Sequence, residues 1–331
     1  MDRRKLPFSA VEVSRMGLGC MSMSAAYGTP DEAQAEATLH RALELGVTFF
    51  DTSNVYGMGH NEKLLRRVLG KERNRIQIGT KFGFVPGEGG ALTVDCRPEV
   101  VRARCEESLE RLGTDYVDVY YAHRVDPTIP VEDTVDVMGA LVTSGLARAI
   151  GLCEVNSETL RRAHKIHPIS VVQSEYSLWQ REPEDGIIQT CRELGVAFVP
   201  FSPLGRGMLT GTLNQASQFA KGDMRARLPR FQEGNFEQNR ALVARLEELA
   251  RARGCTPAQL ALAWVLAKGD DIIPIPGTKR AHILEENVGA LAVEVDAATI
   301  KELDALFPVG SAVGDRYPAQ MSRLAQTEKA S

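Results

Sequence analysis

Asp51, Tyr56, Lys81 and His123 carry groups that would compose a proton donor if the fold brought them together. A tyrosine hydroxyl has an ordinary pKa of about 10, too high to give up a proton briskly at neutral pH. A neighbouring ammonium favours the phenolate and so lowers that value, while a buried carboxylate keeps the ammonium charged. Asp51 and Lys81 beside Tyr56 would supply those two parts, and His123 could donate to the same oxygen or orient a carbonyl. The set suits protonation of a carbonyl oxygen. Taken singly, each residue also has an ordinary reading: an aspartate ending a strand is often a turn or helix cap, a lysine there is often solvated, and a lone histidine is often a satisfied core group.

What would hold the four together is a repeating unit of strand, helix and glycine. After a small hairpin around residues 5–16, the segment 16–21 reads as a first core strand, followed by a helix over 31–45 with Ala35, Leu39, Ala42 and Leu43 at helical spacing. Further strands are expected at 47–52, 76–81, 116–123, 148–155, 171–176, 196–201 and 272–276, and the helices between them at 61–69, 98–112, 131–143, 158–167, 184–194 and 239–253. The eighth strand is followed by its own helix at 280–291, a loop with glycine and proline is expected at 83–90, and extra helices are expected at 257–266 and 297–306. Eight such alternations call for a closed parallel (β/α)8 TIM barrel with an N-terminal β-hairpin, extra C-terminal helices and a long loop after strand 7. A doubly wound open sheet would need a glycine-rich turn after its first strand to bind a dinucleotide, and Gly17 and Gly19 lack the third glycine of that motif. In a barrel the strand ends share one rim, so Asp51, Lys81, His123, Glu154, Gln173, Ser202, Gly277 and Thr278 become neighbours. The connection over 205–235 is far longer than usual and reads as a lid or a disordered stretch.

Composition sets the frame. The chain has 331 residues with a net charge of -4 and no basic footprint, so nucleic acid is not expected as a partner. It is expected to be a single domain over 1–331, with a core at about 10–307 and an irregular tail over 308–331 that folds over the barrel mouth or frays. No apolar stretch approaches the roughly 20 residues of a membrane span, and no secretory leader is evident, which places the protein in the cytoplasm. The six cysteines show no C-x-x-C spacing, so neither a disulfide framework nor a metal site is expected.

Asp51 with Tyr56-Gly57, Gly79-Thr80-Lys81 and Tyr121-Ala122-His123 resemble the active-site tetrad of the aldo-keto reductases. The stretches 17–21, 201–207 and 275–279, leading to Glu286 and Asn287, resemble the same family, and the likeness runs from about residue 10 to 307. It is strongest to the bacterial and plant members with a long seventh loop, which are also similar to the β-subunits of potassium channels. The resemblance implies a barrel that binds NADPH (or NADP+) in extended form and reduces aldehydes or ketones to alcohols. It makes Tyr56 the proton donor, tuned by Lys81 and Asp51, with His123 orienting the carbonyl. On the cofactor side it implies Gly19, Cys20, Met21, Asp51 and Cys153, with Gln173 on the nicotinamide carboxamide and Phe201 stacked on the ring. Ser202, Pro203, Leu204, Gly205, Arg206 and Gly207 would wrap the pyrophosphate. Lys279 and Arg225 would meet the 2′-phosphate beside Gly277 and Thr278, with Glu286 and Asn287 on the adenine. Where many members have Ser-Asn, this chain has Cys153-Glu154. The partner implied is a small carbonyl substrate, and a homo-oligomer is compatible but not indicated. Apart from the resemblance, Met21, Phe82 and Trp179 read as an apolar pocket for it, with Met58 and Trp179 helping to shape it, against the ordinary reading that such residues are plain packing. A redox-sensing regulatory subunit, holding NADPH with little turnover, is the alternative from another class.

Overall fold

The structure, a computed structural model, describes residues 1–87, 92–215, 219–220, 222–326 and 328. The expected loop at 83–90, the long connection and the tail therefore each lie in part outside the described residues. The chain opens with strands β1 (Arg3–Lys5) and β2 (Glu12–Ser14), paired antiparallel as the expected hairpin. Then come β3 (Leu18–Gly19), β4 (Phe49–Asp51), β5 (Gln77–Phe82), β8 (Val119–Ala122), β9 (Ile150–Cys153), β10 (Val171–Glu175) and β11 (Ala197–Phe201). These seven pair in parallel, side by side in chain order. Between β5 and β8 a two-stranded antiparallel ribbon, β6 (Phe84–Pro86) and β7 (Leu92–Val94), stands where only a loop was expected. Its Phe84, Val85, Leu92 and Val94 suit a ribbon, but the intervening glycines obscured that signal.

The eighth strand is present only as bridges: Ile272 to Phe198 and Ile275 to Phe201 on one side, Gly277 to Gly19 on the other. Proline explains this. Ile273 and Ile275 donate to the carbonyls of Phe198 (2.9 Å) and Pro200 (3.0 Å), and the carbonyls of Pro274 and Pro276 accept from Gly17 (3.0 Å) and Gly19 (3.2 Å). Pro274 and Pro276 have no N–H to return toward β3, so each ladder bond on that side is single. The nearly closed barrel is completed there by two glycines, since a Cβ on Gly19 would lie 3.0 Å from the Ile275 carbonyl oxygen.

Around the strands lie α1 (Glu32–Glu44), α2 (His60–Leu69), α3 (Pro98–Leu112), α4 (Val131–Thr143), α5 (Ser157–Ile166), α6 (Ile187–Leu194), α7 (Asn235–Ala252), α8 (Pro257–Ala267), α9 (Ala281–Gly289), α10 (Ala297–Leu306) and a short α11 (Ala319–Ser322). Their starts follow capping chemistry: Asp31, Asn156 and Asp296 each accept a backbone N–H three residues on, and Thr256 with Gln259 forms a capping box. Apolar helix faces and outward strand residues such as Phe50, Ile78 and Val172 make the main core. A second cluster fills the barrel interior with Phe49, Val119, Tyr121, Cys153, Val171, Val199 and Ile273. This alternation is the period of two expected of strands covered on both faces.

Candidate active site

Asp51 ends β4 and Lys81 is the last residue but one of β5; the two strands pair in parallel, which brings both side chains toward the same end of the barrel. Both are buried; Lys81 is 0% exposed. Its ammonium makes an ion pair with Asp51 Oδ1, donates to the Thr52 carbonyl at 2.8 Å and reaches the Tyr56 hydroxyl at 3.3 Å. Burial on its own would lower the lysine, but the Asp51 carboxylate, with Tyr56 and Cys153, outweighs it and holds the ammonium above its ordinary range. The other oxygen of Asp51 accepts from Gln173 Nε2 at 2.8 Å. Below the pair lies the Tyr121 ring, 5.9 Å from the ammonium. That ring has room because β9 carries glycine at 151, where a Cβ would stand 2.6 Å from it.

Tyr56 and His123 complete the group, their rings 6.0 Å apart and edge to face. Ser53 Oγ lies 3.2 Å from His123 Nδ1, which fixes one ring nitrogen and leaves Nε2 for a ligand. Burial, then the charges of Lys81 and Arg124, keep the imidazole well below its usual value, so it is neutral at physiological pH. The expected acidification of Tyr56 is corrected by the structure: burial raises the phenol to about 12, and the pull of Lys81 only partly offsets this. Desolvation of a phenolate outweighs one ammonium already shared with a carboxylate.

The remaining predicted residues lie on or just after β3, on β9, β10 and β11, on the turns that follow β11 and the eighth strand, in the long connection and on α9. Gly19, Cys20 and Met21 pass beside Asp51, whose carbonyl accepts the Cys20 N–H at 2.9 Å. Cys153 points into the barrel, its thiol pushed up to about 12 by burial. Phe201 ends β11 half-buried, next to the turn 202–207, in which Ser202, Gly205, Arg206 and Gly207 all have positive φ. The N–H groups of Gly205 and Gly207 bond within the turn to Ser202 (2.9 Å) and Leu204 (3.0 Å), and Pro203 has none. Thr278 is buried and Gly277 exposed, while Lys279 Nζ donates to the carbonyls of Tyr27 (3.4 Å) and Thr29. Arg225 pairs with Asp223 at 2.7 Å and donates to the Arg206 carbonyl at 3.2 Å. Glu286 is half-buried; the Asn287 amide beside it is buried with neither its oxygen nor its nitrogen partnered among the described residues. An amide left open in this way fits a polar ligand such as a purine edge. Among the described residues no group of His, Cys, Asp or Glu could hold a metal ion.

Of the apolar residues expected near the substrate, Phe82 lies in the outer core, fully buried and stacked on Tyr120 at 4.9 Å, whereas buried Trp179 packs against Gly205 of the turn 202–207 and donates its indole N–H to Asn239 at 3.3 Å. Met21 is half-buried, and Met58 stands exposed on the loop that carries Tyr56.

Sequence reasoning missed a set of buried ion pairs at the mouth. Glu154 takes a positive φ of 54°, accepts the Glu175 N–H at 2.8 Å and pairs with Arg316 of the tail. Glu175 pairs with Arg206 at 2.6 Å, and the Arg206 guanidinium lies 5.0 Å over the ring of Tyr317. Carboxylates at the ends of β9 and β10 were the available signal; their partners lie far along the chain.

A model of the aldo/keto reductase family matches residues 15–307. The chain is 44% identical over 315 residues to a probable aldo-keto reductase 1 of Glycine max, covering 95% of this chain and 91% of that one. Among solved structures it is similar to a glycerol dehydrogenase from Gluconobacter oxydans, with a TM-score of 0.85 at 27% identity, covering 96% and 98% of the two chains. It is also similar to an aldo-keto reductase from Bacillus halodurans in its holo form, with a TM-score of 0.77 at 25% identity over 94% and 97%.

Proposed function

The chain belongs to the aldo/keto reductase family, and from that premise we propose that it is an NADPH-dependent reductase of aldehydes or ketones with Tyr56 as the proton donor. NADPH, when bound, supplies the hydride to the carbonyl carbon. The observation that carries this reading is the buried Lys81 ammonium held between Asp51 and the Tyr56 hydroxyl, with a neutral His123 alongside. Tyr56 gives its proton to the carbonyl oxygen, and the cation beside it stabilises the phenolate left behind. With the Ser53 hydroxyl donating to Nδ1, His123 would carry its hydrogen on Nε2 and orient the carbonyl toward the phenol. Asp51 holds Lys81 in place and keeps it charged.

The cofactor residues fit the same picture. The unpartnered Asn287 amide, with Glu286, would hold the adenine; the left-handed turn 202–207 would pass under the pyrophosphate. Lys279 and Arg225 would meet the 2′-phosphate by exchanging their carbonyl partners for it, which favours NADPH over NADH. Gln173, fixed on Asp51, would present its carbonyl to the carboxamide and Phe201 its ring to the nicotinamide. One domain working in the cytoplasm is the proposed setting, in keeping with six unpaired cysteines; among the described residues no helix is long and apolar enough to cross a membrane.

Tyr56→Phe tests the reading. We expect NADPH affinity to change little while turnover of 4-nitrobenzaldehyde falls by about 100-fold or more, because the hydroxyl acts in the transition state. A variant as fast as the parent excludes Tyr56 as the donor. A parent that binds NADPH tightly and scarcely cycles on any carbonyl would instead favour a redox-sensing subunit.

A further inference from the structure

Arg124 follows His123 directly and is 7% exposed. One of its nitrogens, Nη1, donates to the His123 carbonyl at 2.5 Å, and its guanidinium lies 5.6 Å over the Phe84 ring. Phe84 in turn sits edge to face on the His123 imidazole, with centroids 4.8 Å apart. Guanidinium, phenyl and imidazole thus form one layer beside Tyr56, at the end of β8, and the cation is close enough to bear on both His123 and Cys153. No carboxylate among the described residues forms an ion pair with it. The nearest acid in sequence, Asp126, is turned away onto the Thr128 N–H (2.9 Å), the Thr128 hydroxyl (2.6 Å) and the Cys96 N–H (3.3 Å). Arg206, Arg225 and Arg316 are treated otherwise, with Glu175, Asp223 and Glu154 as partners, while buried Arg230 likewise has no ion pair among the described residues.

A guanidinium with one hydrogen bond, no counter-ion among the described residues and its other nitrogens open to the surface is well suited to meet an anion that arrives with a ligand. Its planar fork matches a carboxylate or phosphate in bidentate fashion, and a phenyl face behind it excludes water. We propose that Arg124 is the specificity group for an anionic substituent, carboxylate or phosphate, on the carbonyl substrate, so that the substrate class is oxo acids or phosphorylated aldehydes. This rests on the reductase reading above, since it uses the Tyr56 and His123 end as the place of the carbonyl.

The test compares 4-carboxybenzaldehyde with 4-nitrobenzaldehyde, a planar pair of similar size and electron demand in which only one member is charged. A second pair, glyceraldehyde 3-phosphate and glyceraldehyde, separates phosphate from carboxylate. A charge-assisted hydrogen bond gives roughly 10- to 100-fold, so the parent should favour the anionic member of one pair by about that ratio in kcat/KM. Arg124→Gln should abolish the ratio, and Arg124→Lys, which keeps the charge without the fork, should retain part of it. A parent indifferent to charge in both pairs overturns the proposal. So does an Arg124→Gln variant that loses both members of a pair equally, because that is a structural effect through the His123 carbonyl. Calorimetric titration of 4-(hydroxymethyl)benzoate and of glycerol 3-phosphate into the NADP+-loaded protein separates this claim from the reductase reading. Binding weakened about 10-fold by Arg124→Gln, in a protein that reduces none of these aldehydes, would keep the anion subsite and reject the reductase. No Arg124-dependent binding and no charge preference would reject the subsite while leaving the reductase intact.

Discussion

At Tyr56 two forces act in opposite directions, and their balance predicts a pH profile. Burial favours the neutral phenol and raises it to about 12, while Lys81 pulls it down without prevailing. A proton donor works while protonated, so reduction should weaken only as pH rises through that raised value. Protonating His123 would put a second cation beside Lys81 and a hydrogen on the nitrogen that faces Ser53, so any acid limb should appear only as pH drops through its own value, which burial and two cations hold well below 6.5. Between about pH 6.5 and 10, the ordinary ranges of the two side chains, kcat/KM for reduction should therefore be flat. An inflection near the ordinary histidine value would show that His123 titrates freely and that the described burial does not govern the working enzyme. The types and spacing of the four residues were legible in the sequence. The sign of the phenol's shift was not, since it depends on how deeply the group is buried, which neighbours along the chain do not reveal.

Strands and helices were legible because each carries its own period and its own caps. Residues 131–143, for instance, were expected as a helix and form α4 (Val131–Thr143). Less legible were elements whose partners are remote. The tail was expected to fold over the mouth or fray; among its described residues Arg316 meets Glu154 at the mouth from 162 positions away and Tyr317 is buried against the core. Nothing local at either residue announces the other. Since Glu154 and Arg316 are both largely buried, Arg316→Ala would leave a carboxylate uncompensated, at a cost of about 3–5 kcal/mol for a pair of this kind. Part of that cost is avoided if the tail detaches and lets water reach Glu154. Hydrogen exchange should then show protection lost over 308–326, with the strands unchanged. Glu154→Gln/Arg316→Met, which removes both charges, should recover most of the stability measured by urea unfolding. If the single and double variants are equally stable and the tail stays protected, the pair does not hold the tail.

On the scale of the whole molecule, convergence of the strand ends on one rim was the inference that composition and motif could not supply, and it depends on the barrel being filled to one particular shape. Tyr121 occupies the interior under Lys81, and the strand beside it gives way through Gly151, where a Cβ would lie 2.6 Å from the ring and 2.8 Å from the Val171 carbonyl oxygen. The ring could turn aside, but the carbonyl belongs to a paired strand and cannot. Gly151→Ala therefore adds only one methyl yet acts as overpacking, which typically costs about 1–3 kcal/mol. The glycine has no special backbone angle to defend, so the loss is steric and should be read directly from the urea midpoint with the slope unchanged. Because the displaced ring underlies the ammonium that touches Tyr56 (3.3 Å), turnover should fall by more than the lost stability accounts for when assayed far below the unfolding midpoint. Ile78→Val removes one methylene from the outer core and supplies the control, with a similar order of destabilisation and no such loss of turnover. Equal activity in the two variants would mean that the barrel interior and the chemistry at its rim are mechanically independent.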